Sequence, residues 1–142
     1  MKASARNQLF GKVTDIRTGA VTVEVTIGLK GGDTLVSSIT IESAQSLGIK
    51  NGDEVLALIK APFITVVKDF GGYRLSARNQ LKGTVKRIEK GAVNSEVVIE
   101  LAGGDSVAGI ITNESVESMG LREGDTASAV FKAGSVILGV KA

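Results

Sequence analysis

One module is written twice in this chain, and that repetition limits its architecture more than any other feature. Ser4-Ala5-Arg6-Asn7-Gln8-Leu9 returns as Ser76-Ala77-Arg78-Asn79-Gln80-Leu81, a displacement of 72 residues. The same step carries Gly31-Gly32-Asp33 onto Gly103-Gly104-Asp105, Gly52-Asp53 onto Gly124-Asp125, and Lys60-Ala61 onto Lys132-Ala133. No insertion is needed, and about half of the positions from Ser4 to Ala61 are identical in the second copy. The expected organisation is a first module over residues 1–68, a crossover at 69–75 and a second module over 76–142. A module of this size hides only about 60% of the surface of its unfolded chain. With no cysteine to staple it, each copy should pack against the other and against further subunits.

Within a copy, Val21, Val23, Val25, Ile27 and Leu29 alternate with Thr22, Glu24, Thr26 and Gly28, the period of a strand with one buried face. The counterpart from Val93 to Leu101 keeps the pattern, with Ser95 interrupting it. Gly31-Gly32-Asp33 is a turn signal leading into a strand over about Thr34–Thr40. Residues Glu42 to Leu47 have room for only a short helix, closed by Gly48 where a left-handed cap is favoured. A last strand is expected over Glu54–Val67, apolar on both faces and so buried from both sides. The predicted class is all-β: two tandem OB-like small barrels, each with one short helix.

Histidine is absent along with cysteine, which removes Ser-His-Asp triads, thiol nucleophiles and the usual transition-metal ligands. Asp33, Asp53, Asp105 and Asp125 stand beside glycines in predicted turns, where backbone shape explains them. No nucleophile and base are paired, so no catalytic residue and no catalytic cofactor are expected. Seventeen cations against fifteen anions leave a formal charge of +2, too little to imply a polyanionic partner. The aromatics Phe10, Phe63, Phe70, Tyr73 and Phe131 are scattered and mostly unrepeated, so the stacking platforms of a single-strand-binding barrel are missing. Neither a nucleic-acid nor a membrane partner is expected, and with no export signal the expected location is cytoplasmic.

Three features in each copy can donate hydrogen bonds to an anion. Ser4, Arg6 and Asn7 offer a hydroxyl, a guanidinium and an amide on one short stretch; Thr40 and Ser43 stand at the start of the short helix; Lys60, beside Ala61, is a cation inside an otherwise apolar run. The second copy repeats them as Ser76, Arg78 and Asn79, Thr112 and Ser115, and Lys132 beside Ala133. An ionised tetrahedral dianion accepts hydrogen bonds and donates none, so it wants hydroxyls, N–H groups and cations without carboxylates. Glu42 and Glu114 are awkward neighbours, expected to face solvent. Each feature also has an ordinary structural role: Thr40 and Ser43 as helix caps, Arg6 in a surface ion pair, Lys60 reaching past apolar surface to water.

The two SARNQL segments, the GAV-plus-acid strand starts at Gly19–Glu24 and Gly91–Glu96, and the Lys-Ala pairs resemble the molbindins, the Mop-type molybdate-binding proteins, in their two-module form. The resemblance implies OB-like modules assembled as a homotrimer, with molybdate or tungstate held between modules for storage. It implies a wall made of Ser4, Arg6 and Lys60 facing Thr40 and Ser43 of a neighbouring subunit. Ser76, Arg78 and Lys132 would similarly face Thr112 and Ser115. An axial oxyanion site is implied near Gly91-Ala92-Val93-Asn94. The first copy reads Gly19-Ala20-Val21-Thr22 and departs from that loop. The chain as it stands leaves no room for a helix-turn-helix or ATPase domain, so a freestanding store is the expectation. A sensor that reports occupancy to a protein partner, or a nucleic-acid-binding barrel, is the alternative.

Overall fold

A computed structural model describes all 142 residues. The first copy contributes β1 (Asn7–Thr18), β2 (Thr22–Gly28), β3 (Thr34–Thr40), α1 (Ile41–Leu47), β4 (Glu54–Ile59) and β5 (Thr65–Val67). The second contributes β6 (Asn79–Lys90), β7 (Asn94–Glu100), β8 (Ser106–Thr112), α2 (Asn113–Met119), β9 (Thr126–Phe131) and β10 (Ile137–Gly139). Strand β1 serves two neighbours. Its first half pairs antiparallel with β4 (Asn7 opposite Ile59), its second half with β2 (Thr18 opposite Val23), and the register shifts between Val13 and Asp15. A shift of this kind bends a strand and lets a small sheet curl. Strand β6 repeats the arrangement with β9 and β7.

The alternation read from the sequence marks the buried face. Val23, Val25, Ile27 and Leu29 are buried. Val21 is not: it precedes β2 and is exposed at the tip of the β1–β2 hairpin. Ser95 does sit on the inward face, where its hydroxyl donates to Asn113 Oδ1 at 2.6 Å. Gly48 caps α1 in the left-handed region at φ 65°, as its place in the sequence suggested.

The expected single strand over Glu54–Val67 is corrected by the structure. Strand β4 stops at Ile59, a 3₁₀ turn occupies Ala61–Phe63, and β5 begins at Thr65. Pro62 lies in that turn, and a proline has no N–H to give to a ladder. The break redirects the chain. One sheet has the order β10-β4-β1-β2-β3 and the other β5-β9-β6-β7-β8, so each copy surrenders its last short strand to the other copy's sheet. Ile137 of β10 lies opposite Leu58, and Thr65 of β5 opposite Val130. Ser37 in β3 is fully buried and donates to the carbonyl of Val136 at 2.9 Å, tying the incoming segment to the far edge of its host barrel.

The apolar side chains of both copies consequently form one continuous cluster of 24 buried residues, from Leu9 and Val13 through Ile64 and Val66 to Val136 and Leu138. A shared core answers the shortage that a lone module faces. The two Gly-Gly turns also meet: a side chain at Gly103 would overlap the backbone of Lys30, and one at Gly31, where φ is 79°, would overlap Gly103. The crossing is backbone on backbone. Gly103→Ala is therefore expected to lower stability by about 1–3 kcal/mol, the usual cost of forcing atoms into a filled site, read as a fall in midpoint in calorimetry.

The crossover is anchored by Lys68, whose ammonium donates to the carbonyl of Gly120 at 3.1 Å and lies 3.3 Å from Asp125. Asp125 also accepts from the Arg122 backbone N–H at 2.8 Å. That backbone hydrogen bond, followed by Lys68, holds the Asp125 carboxyl below its usual range. A depressed folded value stabilises the fold above the ordinary carboxylate range, and the contribution is lost as pH falls through the folded value. Asp125→Asn should thus unfold at a lower temperature than the parent at pH 7. The gap should close in acid, as thermal melts across pH would record.

Candidate anion site

Asn7 and Asn79 explain how the two copies are locked in register. Strands β3 and β8 are edges of their sheets. Asn79 is buried, donates from Nδ2 to the carbonyl of Val36 at 2.8 Å, and accepts the Val36 N–H at Oδ1 at 2.7 Å. Asn7 does the same to Ala108 at 2.8 and 2.7 Å. One side-chain amide thus stands in for a neighbouring strand. Both asparagines were expected to donate to an anion. Their amides are instead engaged with backbone, and what they contribute to a site is the placement of the residues beside them.

Those residues are the expected wall. The β1–β4 ladder ends at Asn7 opposite Ile59, so Arg6 and Lys60 emerge side by side just beyond it. The β6–β9 ladder ends at Asn79 opposite Phe131, which brings out Arg78 and Lys132. Ser4 and Ser76 are exposed two residues upstream. Lys60 and Lys132 are exposed and form no ion pair in the chain. Ala61 and Ala133, next to them, are buried where the 3₁₀ turns begin.

The exchange of strands decides what each wall faces. Arg78 reaches across to β2 of the first copy and donates from Nη1 to Glu24 Oε2 at 2.7 Å. Glu24 lies opposite Ser38, and Thr40 is two residues further along β3, about 7 Å. Arg6 pairs with Glu96 of β7 in the second copy, opposite Ile110 and two residues short of Thr112. Within one chain, then, the Ser76/Arg78/Lys132 wall stands over the end of the barrel that carries Thr40 and Ser43. The Ser4/Arg6/Lys60 wall stands over the end with Thr112 and Ser115. Within the chain, the strand exchange sets each copy's wall on the other copy's barrel.

Thr40 is the helix cap: Ser43 donates its N–H to Thr40 Oγ1 at 3.0 Å, and Thr40 Oγ1 donates to Ser43 Oγ at 2.9 Å. The Ser43 hydroxyl proton remains available to a guest. Ser115 likewise donates its N–H to Thr112 Oγ1 at 3.0 Å, and the two hydroxyls share one hydrogen bond at 2.7 Å in which either can donate. Helices α1 and α2 have seven residues each, so the hydroxyls matter more here than any helix dipole. Glu42 and Glu114 are exposed, as expected. The Gly19-Ala20-Val21 and Gly91-Ala92-Val93-Asn94 segments form exposed hairpin tips at the same end of each barrel, Thr22 lying opposite Thr40 and Asn94 opposite Thr112. In the second copy Asn113 steadies the tip, donating from Nδ2 to the carbonyl of Gly91 at 3.0 Å and from its N–H to that of Val93 at 2.8 Å. Ile41 takes that place in the first copy and offers no such bond. Sequence reasoning missed Glu24 and Glu96 as arginine partners. The acid that follows each GAV segment was the available signal.

Comparison with known proteins settles the relationship. The TOBE domain matches twice, over residues 3–66 and 75–138. This chain belongs to the TOBE-domain family. Among relatives, the molybdenum transport protein ModE of Herbaspirillum seropedicae is 44% identical over 141 residues, covering 99% of this chain and 52% of that protein. The DNA-binding transcriptional dual regulator ModE of Escherichia coli is 36% identical over 139 residues, covering 97% and 52%. The chain thus spans about half the length of the curated relatives it matches. Among solved structures, the cytoplasmic molybdate-binding protein ModG with molybdate bound is 52% identical, with a TM-score of 0.96 over 99% of this chain and 100% of that one. The tandem TOBE architecture and the molbindin resemblance therefore hold. The exclusion of nucleic acid is narrowed, since a relative named for binding DNA carries this stretch as half of its length. No helix is long and apolar enough to cross a membrane.

The asparagine bridges give a direct test. Asn79→Ala would leave the Val36 N–H and carbonyl without their partner, at roughly 2–4 kcal/mol for two such groups. Chemical denaturation of Asn79→Ala and Asn7→Ala should show losses of that size. A loss of a few tenths would mean that the edges are satisfied otherwise.

Proposed function

We propose that this protein binds molybdate or tungstate at pockets formed by the arginine–lysine walls and the facing threonine–serine pairs, and that it stores the oxyanion in the cytoplasm without catalysis. The observation that carries this reading is the duplicated wall: an arginine and a lysine that both lie just beyond the end of one ladder, with the lysine free of any carboxylate. Arg6, Lys60 and Ser4, with Thr112 and Ser115, make one donor set. Arg78, Lys132 and Ser76, with Thr40 and Ser43, make the other. All of these donate to a dianion. The likeness to ModG, which is described with molybdate bound, supports the choice of guest.

The walls are open to solvent in one chain, Arg6 and Arg78 being 56% and 52% exposed. Further copies packed on these faces, as a homotrimer, would desolvate the pockets and strengthen every charged hydrogen bond in them. The exposed hairpin tips with Val21 and Val93 are the place for an additional oxyanion on a symmetry axis. The second tip is braced by Asn113, whereas Ile41 stands at that place in the first. The match to a DNA-binding regulator favours a second reading, in which the same pockets report oxyanion levels to a partner.

Calorimetric titration of anion-free protein with molybdate, tungstate and sulfate, at known oligomeric mass, tests this. Saturable binding of molybdate or tungstate is expected. Arg6→Ala with Arg78→Ala should weaken it by about 1.5–3 kcal/mol for each charged hydrogen bond lost. Undiminished affinity in that double variant would remove these residues from the site. Failure of the parent to bind would remove the function.

A further inference from the structure

The two arginine walls are not paired alike, and the difference lies in residues outside the donor sets. Glu24 and Glu96 occupy matching places, yet they are neutralised differently. Glu96 has only 13% of its side chain exposed and is gripped by two guanidiniums, Arg6 and Arg87, the latter at 3.2 Å. Glu24, 33% exposed, has Arg78 alone. The cause is a sequence swap between the copies: Asp15 and Arg17 in the first correspond to Arg87 and Glu89 in the second. Arg17 lies opposite Glu24 in the ladder, but its Nε is turned to Asp15, 3.4 Å away. Around the first wall Arg6, Arg87 and Lys60 stand against Glu96 and Glu89, which faces it across the ladder, so one positive charge is left and what differs is the pairing. Around the second, Arg78 and Lys132 against Glu24 leave one.

Resting on the oxyanion reading above, we propose that Glu24 and Glu96 are built-in competitors that set the affinity of the two walls. Glu24 holds the Arg78 wall weaker, while Arg87 relieves the Arg6 wall of that restraint. A carboxylate on the guanidinium uses donors that the guest needs and repels a dianion placed beside it. When the guest draws Arg6 away, Glu96 keeps Arg87. When it draws Arg78 away, Glu24 is left with none. The Arg6 wall is therefore the tighter one, by about two- to fivefold, the scale of one partly exposed ion pair kept rather than lost.

Molybdate is titrated into two backgrounds of the whole protein, Arg78→Ala to read the first wall and Arg6→Ala to read the second. The first background should bind more tightly. Adding Glu24→Gln to the Arg6→Ala background should tighten binding by about two- to fivefold, the scale of a half-exposed ion pair. Adding Arg87→Gln to the Arg78→Ala background should weaken it by a similar factor. A purely structural role for Glu24 predicts the opposite sign, since losing a group that merely positions Arg78 loosens the guest. Unchanged or weaker binding by Glu24→Gln, with the parent still binding molybdate, overturns this proposal and leaves the oxyanion reading standing. A parent that ignores molybdate overturns both.

Discussion

An edge strand must find partners for its backbone N–H and carbonyl groups, and in this molecule β3 and β8 find them in the opposite copy. Asn79 on Val36 and Asn7 on Ala108, together with the exchanged strands β5 and β10, leave neither barrel complete by itself. The interdependence of the copies places the side chains of the two walls. Arg6 and Arg78 are each the residue before a buried asparagine, so fixing the asparagine on a foreign strand fixes the arginine over a foreign barrel.

A carboxylate-free pocket is the simplest expectation for an oxyanion, and this chain departs from it by one glutamate per wall. The arginines are paired with these glutamates and partly exposed, which spares the protein an unpaired cationic face. The cost is competition with any guest for the same donors. Lys60 and Lys132 carry the unneutralised charge, and the buried alanines beside them keep those lysines at the barrel rim.

Much of the fold was legible in one sequence because the relevant signals are local. The alternation from Val23 to Leu29, the turn at Gly31-Gly32-Asp33 and the cap at Gly48 each involve residues a few positions apart. What stayed hidden depends on partners far away in the chain. Nothing near Lys60 announces that the strand beyond Pro62 leaves for another sheet, since Thr65-Val66-Val67 reads as a continuation of the same apolar run. Asn7 looked like a donor for a ligand, since an amide beside an arginine and a serine carries no mark of its bond to Ala108, 101 residues away. The repetition showed which polar side chains recur together, whereas the pairing of Arg78 with Glu24 and of Arg6 with Glu96 across the copies leaves no local mark.

Strand β10 joins β4 through Ile137 and Leu58, and this has a bearing on biosynthesis. A nascent chain emerging from the ribosome presents β1 to β4 long before residues 137–139 exist, so the first barrel waits half-closed with raw margins at β3 and β4. Contacts that span so much chain are slow to form. During that interval the newborn polypeptide is at its most adhesive, and a sister chain offering the same late segment could fill the gap first.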